Sequence, residues 1–555
     1  MTRISTTSRS YSIVETSCPS RLVKGVDHEM KPEAGFLYLA EELQFHILTF
    51  LSCRDILRCT SVCKALRQMY MSSSELQYIV ELGGQGLLPV SNTDDHTPAE
   101  RLQLLRDRSH AWFKVDIHSS KTISIPDDLY YAGKLIADGH LYLWNQVEHV
   151  AMIIPIPPKP SQHTIECDWL PRTLCSPPHT AYLDIFMDPA QNLIVITHAI
   201  GGGPEVAWLP EVALYVDLEA LDGGGVHPQA AGPRLFLRGL PGYEDHIIQT
   251  ESVRLKDSGR YIALSRSVVV CDRAATSFES MWQLQIWDWQ HSTTSNSVLA
   301  GTLQDKFPNA IDFCFLGNNR LLVATEDLKI YSFEDISQKP QLLACFMMPV
   351  ASPNIQCLLS MDDIAHSPQM QTTNTSDPKH RLLCLTTWGL DHSPRQVYII
   401  STRIFFDLDG MAAVTPIPWE HWGPSNARIF QHSCQCKVHV SGNRVLLAFT
   451  VGTPVLHLMD FSPLAVTNRR GLGRVMNEPS MIDITDPTGL SRETLTTTTS
   501  LPYVEVVLDK KFRFDELENI WIDKDRIYLV TRGWTGEREV AGFSASFSRL
   551  EVIDV

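Results

Sequence analysis

The segment His432-Ser-Cys434-Gln-Cys436-Lys-Val-His439 gathers two imidazoles and two thiols, the donor types that zinc prefers. Its spacing works against a metal site. Cys434 and Cys436 are separated by a single residue and share one face of an extended chain, whereas compact zinc sites use a turn of a few residues to bring two thiolates to one ion. A β-strand is expected there instead. Gly471-Leu-Gly473, after Arg469-Arg470, resembles a phosphate loop but lacks a third glycine, a following Lys-Ser/Thr pair and a strand-to-helix setting, so a surface loop is expected. The acidic groups Asp362-Asp363 and Asp94-Asp95-His96 are expected as solvated loop charge. No nucleophile elbow, His-Glu-x-x-His helix or calcium loop occurs in the required context. The expectation is no metal, no cofactor and no catalytic residue, with the reservation that side chains contributed by separate strands leave no local motif.

The 555 residues that would position any site exceed one ordinary domain, unless they form one large repeat architecture. Hydrophobic residues at 44% and charged residues at 20% place the chain among globular proteins. With 63 acidic against 47 basic residues, a net charge of −16 gives no general attraction to nucleic acid or anionic lipid. Thirteen scattered cysteines form no disulfide framework and fit a reducing compartment. No uninterrupted apolar run approaches the length a membrane span requires; Val150 to Ile156, for example, is short and ends in Pro157-Pro158. The opening MTRISTTSRSYSIV has Arg3, Arg9, many hydroxyls and no acid before Glu15, as a mitochondrial presequence does. It offers no amphipathic helix, so residues 1–34 are expected as a disordered tail.

Between Leu37 and Leu82 the apolar residues recur at three- and four-residue spacings, the mark of amphipathic helices, and Asp55 is placed to open the second of them. This helical block is assigned to residues 35–82. Gly83-Gly84-Gln85-Gly86 ends it, and residues 83–110 form a linker. Within the linker, Thr97 as cap, Pro98 at the first position and Glu100 three residues after the cap start a connector helix. That helix turns Leu102, Leu105 and Trp112 to one side, and Arg101, Arg106, Asp107 and Arg108 to the other.

Residues 111–555 alternate short apolar segments with Gly/Asn/Asp turns. Taking the first strand of each unit near Tyr142, Val195, Ile262, Val323, Cys384, Leu446 and Leu529, the gaps are 53, 67, 61, 61, 62 and 83 residues. Seven similar units imply a β-propeller; a pair of β-sandwiches is the competing architecture. Insertions are expected at Gly201–Pro210, Gly223–Pro233, His366–Lys379 and Pro463–Thr499, the last as a mobile loop. The segment Trp112–Ile125 is the candidate to pair with Phe547–Val555 and close the ring.

Leu39-Ala-Glu-Glu42-Leu43, Ile47-Leu48, Leu51, Asp55-Ile56-Leu57 and Val62-Cys63-Lys64-Ala65-Leu66 together resemble the F-box, a short three-helix motif. Ala40 stands where that family usually has Pro, and Ala65 or Leu66 where it has Trp. The overall plan of tail, F-box, linker helix and large β domain is similar to that of fungal F-box proteins. The expected class is therefore α+β multidomain: a three-helix F-box, a linker helix and a large all-β domain forming a seven-bladed β-propeller. The resemblance implies that Leu39, Glu42, Leu43, Ile47, Leu48, Leu51, Asp55, Ile56, Leu57, Val62, Cys63, Lys64 and Leu66 bind the small acidic Skp adaptor. It further implies that, through the adaptor, a cullin-RING ubiquitin ligase is joined, and that an unknown target protein is held by the propeller in the cytoplasm or nucleus. A block this small buries too little surface to stand alone, so its apolar faces need cover. Alternatively, the helices only cap a propeller that is itself an enzyme, hydrolase or lyase, or a scaffold.

Overall fold

The computed structural model describes residues 35–89, 96–125, 133–137, 139–145, 150–157, 172–173, 180–200, 214–223, 225–240, 242–243, 247–271, 278–303, 311–350, 355–359, 374–387, 395–408, 415–432, 436–449, 455–467, 473–485, 494–510, 516–534 and 546–555. Two compact units divide at Leu51: residues 1–51, and residues 52–555. The first contributes a 3₁₀ turn, Phe36–Tyr38, and helix α1, Glu41–Thr49. In the second, α2 (Cys53–Val62), α3 (Lys64–Ser72), α4 (Ser74–Gly84) and α5 (Pro98–Ala111) precede the sheets. The expected tail, residues 1–34, lies outside the described residues.

Seven antiparallel sheets follow one another along the chain, as the seven units require. Blade 1 runs from Gly133–Ala137 to Arg172–Thr173, blade 2 from Thr180–Asp188 to Arg234–Leu235, and blade 3 from Ile247–Ser258 to Val298–Thr302. Blade 4 runs from Asp312–Gly317 to Gln341–Met347, and blade 5 from Ile355–Leu359 to Ala427–His432. Blade 6 begins at Lys437–Ser441 and ends with Tyr503–Leu508, outside which lies a fifth strand, Arg474–Met476. In blade 7, Leu517–Ile522, Arg526–Trp534 and Ser546–Asp554 are completed by Ser120–Ile125 from the other end of the chain, from Ser120↔Ile553 to Ile125↔Ser548. That pairing closes the ring and replaces the sandwich alternative by a seven-bladed propeller.

The residues taken above as marking first strands lie in the second strand of every blade: Tyr142, Val195, Ile262, Val323, Cys384, Leu446 and Leu529. The reason is burial. A second strand has a strand on either side and a neighbouring blade on each face, so all seven of these side chains are buried and the strands read as continuous apolar runs. The first strands are innermost, and several are laced to the next blade by a side-chain acceptor. Asp184 Oδ2 takes Leu255 N–H at 2.7 Å, Asp312 Oδ2 takes Cys357 N–H at 2.7 Å, and His439 Nδ1 takes Ile522 N–H at 3.2 Å.

The gap of 83 residues before the last unit reflects an insertion in blade 6. Expected as a mobile loop, its described part instead contains α7 (Pro463–Thr467), the fifth strand and a hairpin of Ser480–Thr485 with Thr494–Thr499. Alternating Met481/Asp483 against Ile482/Ile484 gives that hairpin one apolar face, and Ile484 is fully buried against the aromatic cluster of blades 4 and 5.

Truncation from Arg549 onward removes most of a strand paired on both sides. The expected outcome is a lower melting temperature for the whole β region in one cooperative transition; an unchanged midpoint would contradict ring closure.

A second expectation concerns Asp257, which is 2% exposed at the end of the first strand of blade 3 and has no cation to pair with its carboxyl group among the described residues. Burial first, and then the neighbouring Asp188, push its pKa well above the ordinary value. The unfolded chain ionises this group near pH 4 while the fold retains its proton, so stability is greatest below that pH and falls as pH rises toward the raised pKa. Asp257→Asn should therefore raise the melting temperature at pH 7 and change it little at pH 4.

Candidate adaptor-docking site and its mount

In the first unit, Gln44 Nε2 ties the entering chain to α1 by donating to Leu39 O at 2.7 Å and Leu37 O at 3.3 Å. Gln44 and Leu48 form its buried side. The opposite side is apolar and bare: Leu43, Ile47 and, at the helix end, Phe50, which is 76% exposed, with Tyr38 and Leu39 beyond them exposed as well. Glu42 is exposed and Leu51 half-buried.

In the second unit the cap of α2 is Ser52 rather than Asp55. Ser52 Oγ accepts Asp55 N–H at 3.2 Å and donates to Asp55 Oδ2 at 2.8 Å, while Arg58 donates to Asp55 Oδ1 at 3.0 Å. These bonds, Ser52 foremost, hold the Asp55 carboxyl below the usual carboxylate range. Cys63 turns extended (φ −151°) and separates α2 from α3. Ile56, Leu66 and Met69 are buried, whereas Leu57, Val62 (74% exposed), Lys64 and Met71 face outward and Cys63 is half-buried.

Of the thirteen residues taken from the resemblance, Leu48 in the first unit and Ile56 and Leu66 in the second are buried and present nothing to a partner. Tyr38, Phe50 and Met71 were not anticipated; Phe50 could have been, because Leu43, Ile47 and Phe50 stand at positions i, i+4 and i+7 of one helix face.

The second unit joins α2 to the propeller rigidly. Helix α4, absent from the three-helix expectation, packs on α2, and only a glycine at position 83 admits this, because a Cβ there would lie 2.6 Å from Cys53 Cβ. Tyr78 and Leu82 of α4 share a small core with Leu102 and Leu105 of α5, and Arg106 Nε reaches Glu81 Oε2 at 3.3 Å. Helix α5 carries the expected capping box of Thr97 and Glu100. After α4 the chain turns at Gly86 (φ +67°), and Leu87–Pro89 pairs with Asn374–Ser376 of blade 5. Gln85 O accepts Asn443 Nδ2–H of blade 6 at 2.8 Å, and Arg108 Nε lies 3.3 Å from Asp525 Oδ1 of blade 7. Trp112, 1% exposed, sits in the core between blades 6 and 7 with Leu446, Leu458 and Ile527, under the Arg444 guanidinium at 4.9 Å.

Other candidate chemistry resolves into structure. Cys434, Gly471, Asp94, Asp95, Asp362, Asp363 and Trp208 lie outside the described residues. His439 is an inner-strand lace whose pKa burial pushes down to about 4, which keeps the imidazole neutral as an acceptor. Gly473 lies against Val504 and Glu505 of blade 6. No metal-binding cluster occurs among the described residues. Trp419 and Trp422, which with Trp208 could have lined an apolar target pocket, are buried core residues of α6 (Trp419–Asn426), with their indole N–H groups bonded to Thr497 Oγ1 at 2.7 Å and Met347 O at 3.1 Å. The arginines that could have read a phosphorylated target are committed elsewhere. Arg254 pairs with Asp312, Arg320 donates to Phe405 O, Arg403 pairs with Asp407, Arg444 with Asp460, and Arg266 is buried against Gln283.

In the second unit, helices α2 to α5 mounted on a seven-bladed propeller are thus what the geometry defines. The F-box domain family model matches residues 36–69, which spans α1, α2 and most of α3, and the chain carries an F-box domain there. No curated protein matches the chain. Two structures of AztD from Citrobacter koseri, one of them the apo form, are similar at 11% identity and a TM-score of 0.25. One covers 68% of this chain and 75% of its own, the other 69% and 76%; likeness at that level carries no conclusion about either fold or function.

Trp112→Ala should destabilise the protein by about 3–5 kcal/mol, the usual cost of emptying a buried aromatic site. Calorimetry of the full chain measures it, and a change under about 1 kcal/mol would show that the mount does not depend on this side chain.

Proposed function

We propose that the protein is the substrate-recognition subunit of a Skp-cullin-F-box type ubiquitin ligase, docking the Skp adaptor through residues 36–69 and a target protein through the propeller. The observation that carries this reading is the set of bare apolar side chains within the F-box: Leu43, Ile47, Phe50, Leu57 and Val62. Exposing that much apolar surface is costly to a lone protein and is the usual mark of a partner. The receptor works by proximity, raising the effective concentration of target lysines near a ubiquitin-charged enzyme, and makes no covalent bond itself. Cytoplasm or nucleus is the compartment such a ligase implies.

The mount supports a placement for the target. Connections between first and second strands, and between third and fourth, emerge at one end of each blade. Ser376, Asn443, Asp525 and Leu464, against which the mount rests, all lie in such connections of blades 5–7. Among the described residues no contact of the mount falls on the other face, and we assign the target to it.

Leu43→Asp with Phe50→Asp should abolish capture of purified Skp adaptor while leaving the melting temperature unchanged, since both positions are exposed and a carboxylate driven into an apolar interface costs several kcal/mol. Leu48→Asp, at a buried position, should instead lower the melting temperature. Adaptor capture by the folded Leu43/Phe50 double variant would refute the docking role.

A further inference from the structure

Helices α2 and α3 present outward faces of like design. On α2 the exposed side is Arg54, Leu57, Arg58 and Ser61, at positions i, i+3, i+4 and i+7, with Val62 beside them, while Ile56 is buried on the opposite side. On α3 it is Lys64, Arg67, Gln68 and Met71 at the same intervals, opposite the buried Leu66 and Met69. The two faces meet at Cys63, on either side of which Val62 and Lys64 are exposed. Each is an apolar side chain or two rimmed by cations.

Between Ser52 and Ser72 four cations stand against one acid, in a chain whose net charge is −16. That acid, Asp55, is paired with Arg58 at 3.0 Å. Arg54, Lys64 and Arg67 make no ion pair or side-chain hydrogen bond among the described residues. The arginines of α5, by contrast, are committed: Arg101 to His96 O, Arg106 to Glu81 and Arg108 to Asp525.

Local stability does not account for the bare cations. Arg54 lies in the first turn of α2 and Lys64 is the first residue of α3, the ends at which the helix dipole disfavours positive charge. Arg54 and Arg58, four residues apart on one face, repel each other. Solubility does not account for them either, since added acid keeps a protein dissolved better than added base. Residues that break local rules with no local gain mark a functional surface.

We propose that the outward faces of α2 and α3 form an electrostatic landing surface for an acidic protein partner, whose carboxylates meet Arg54, Lys64 and Arg67 around Leu57, Val62 and Met71. This rests on the adaptor-docking role proposed above, and adds the sign of the charge that the docked surface brings. The attraction speeds encounter more than it tightens the finished complex. An extended polyanion such as nucleic acid would also meet the acidic remainder of the chain, which favours a compact protein partner.

Association and dissociation rates of purified Skp adaptor with the full-length protein, measured by stopped flow from about 0.05 to about 0.5 M salt, test this. For the parent, association should slow about tenfold or more over that range while dissociation changes little. Arg54→Gln with Lys64→Gln and Arg67→Gln should associate about tenfold more slowly at the low end and respond little to salt. Glu at the same three positions should be slower still, and Arg54→Lys with Arg67→Lys should keep the parent's rate. All three positions are exposed, so no variant should melt below the parent. Parent association indifferent to salt, or a Glu variant as fast as the parent, would overturn this inference and leave adaptor docking standing. Absence of adaptor binding by the parent at every salt concentration would refute both. Duplex DNA that displaces adaptor from the parent but not from the Gln variant would assign the surface to nucleic acid instead.

Discussion

Everything in the second unit depends on one antiparallel pairing, Ser120–Ile125 against Ser548–Ile553, between residues more than four hundred positions apart in the chain. A ring of blades has no stable open form of the same quality, since each blade leaves an apolar face bare until its neighbour arrives. Seven sheets wound in sequence still leave the first and last faces uncovered. Borrowing the outer strand of blade 7 from the residues that precede blade 1 covers both. The lost loop entropy grows only slowly with length, so even so distant a pairing is affordable. Lys121 Nζ to Asp554 Oδ2 at 3.0 Å adds a charge-assisted bond across this joint.

The same joint fixes helices α2 to α5. Trp112 lies a few residues before the closing strand and is buried in blades 6 and 7, while α4 and its following strand are held by blades 5 and 6. Helices α2 to α5 are thereby attached at several points, through a strand pairing, an ion pair and a buried indole. Such a mount sets a fixed separation between what α2 and α3 hold and what the ring holds, where a flexible tether would set only an average.

Much of this could be read from the residues alone, and the failures have physical causes. Second strands announced themselves because both their faces are buried, so the repeat and the blade count were legible while the alternating inner and outer strands around them were not. Capping chemistry located α5 from Thr97, Pro98 and Glu100, yet Asp55 was misplaced because Ser52 and Asp55 are both good cap residues and only the backbone decides between them. F-box positions were recognisable by type and interval, but type does not separate Leu48 and Ile56, which pack inward, from Leu43 and Leu57, which do not. Trp419 and Trp422 belong to a core completed by Ile484 from an insertion whose Thr-rich sequence hides a one-sided hairpin. Long-range pairings such as Arg266 with Gln283, or Leu87–Pro89 with Asn374–Ser376, have no local signal at all.

The outermost strands of blades 1 and 2 have two residues each and the extra strand of blade 6 has three, while the outermost strands of blades 3, 4, 5 and 7 have five to seven. A sheet edge is a row of unsatisfied backbone donors and acceptors, and a long flat one invites another molecule to add its own strand. A seven-bladed ring multiplies that hazard around its whole circumference. Two- and three-residue edges offer too few consecutive hydrogen bonds to nucleate such growth, so blades 1, 2 and 6 are the stretch of the rim that resists strand addition.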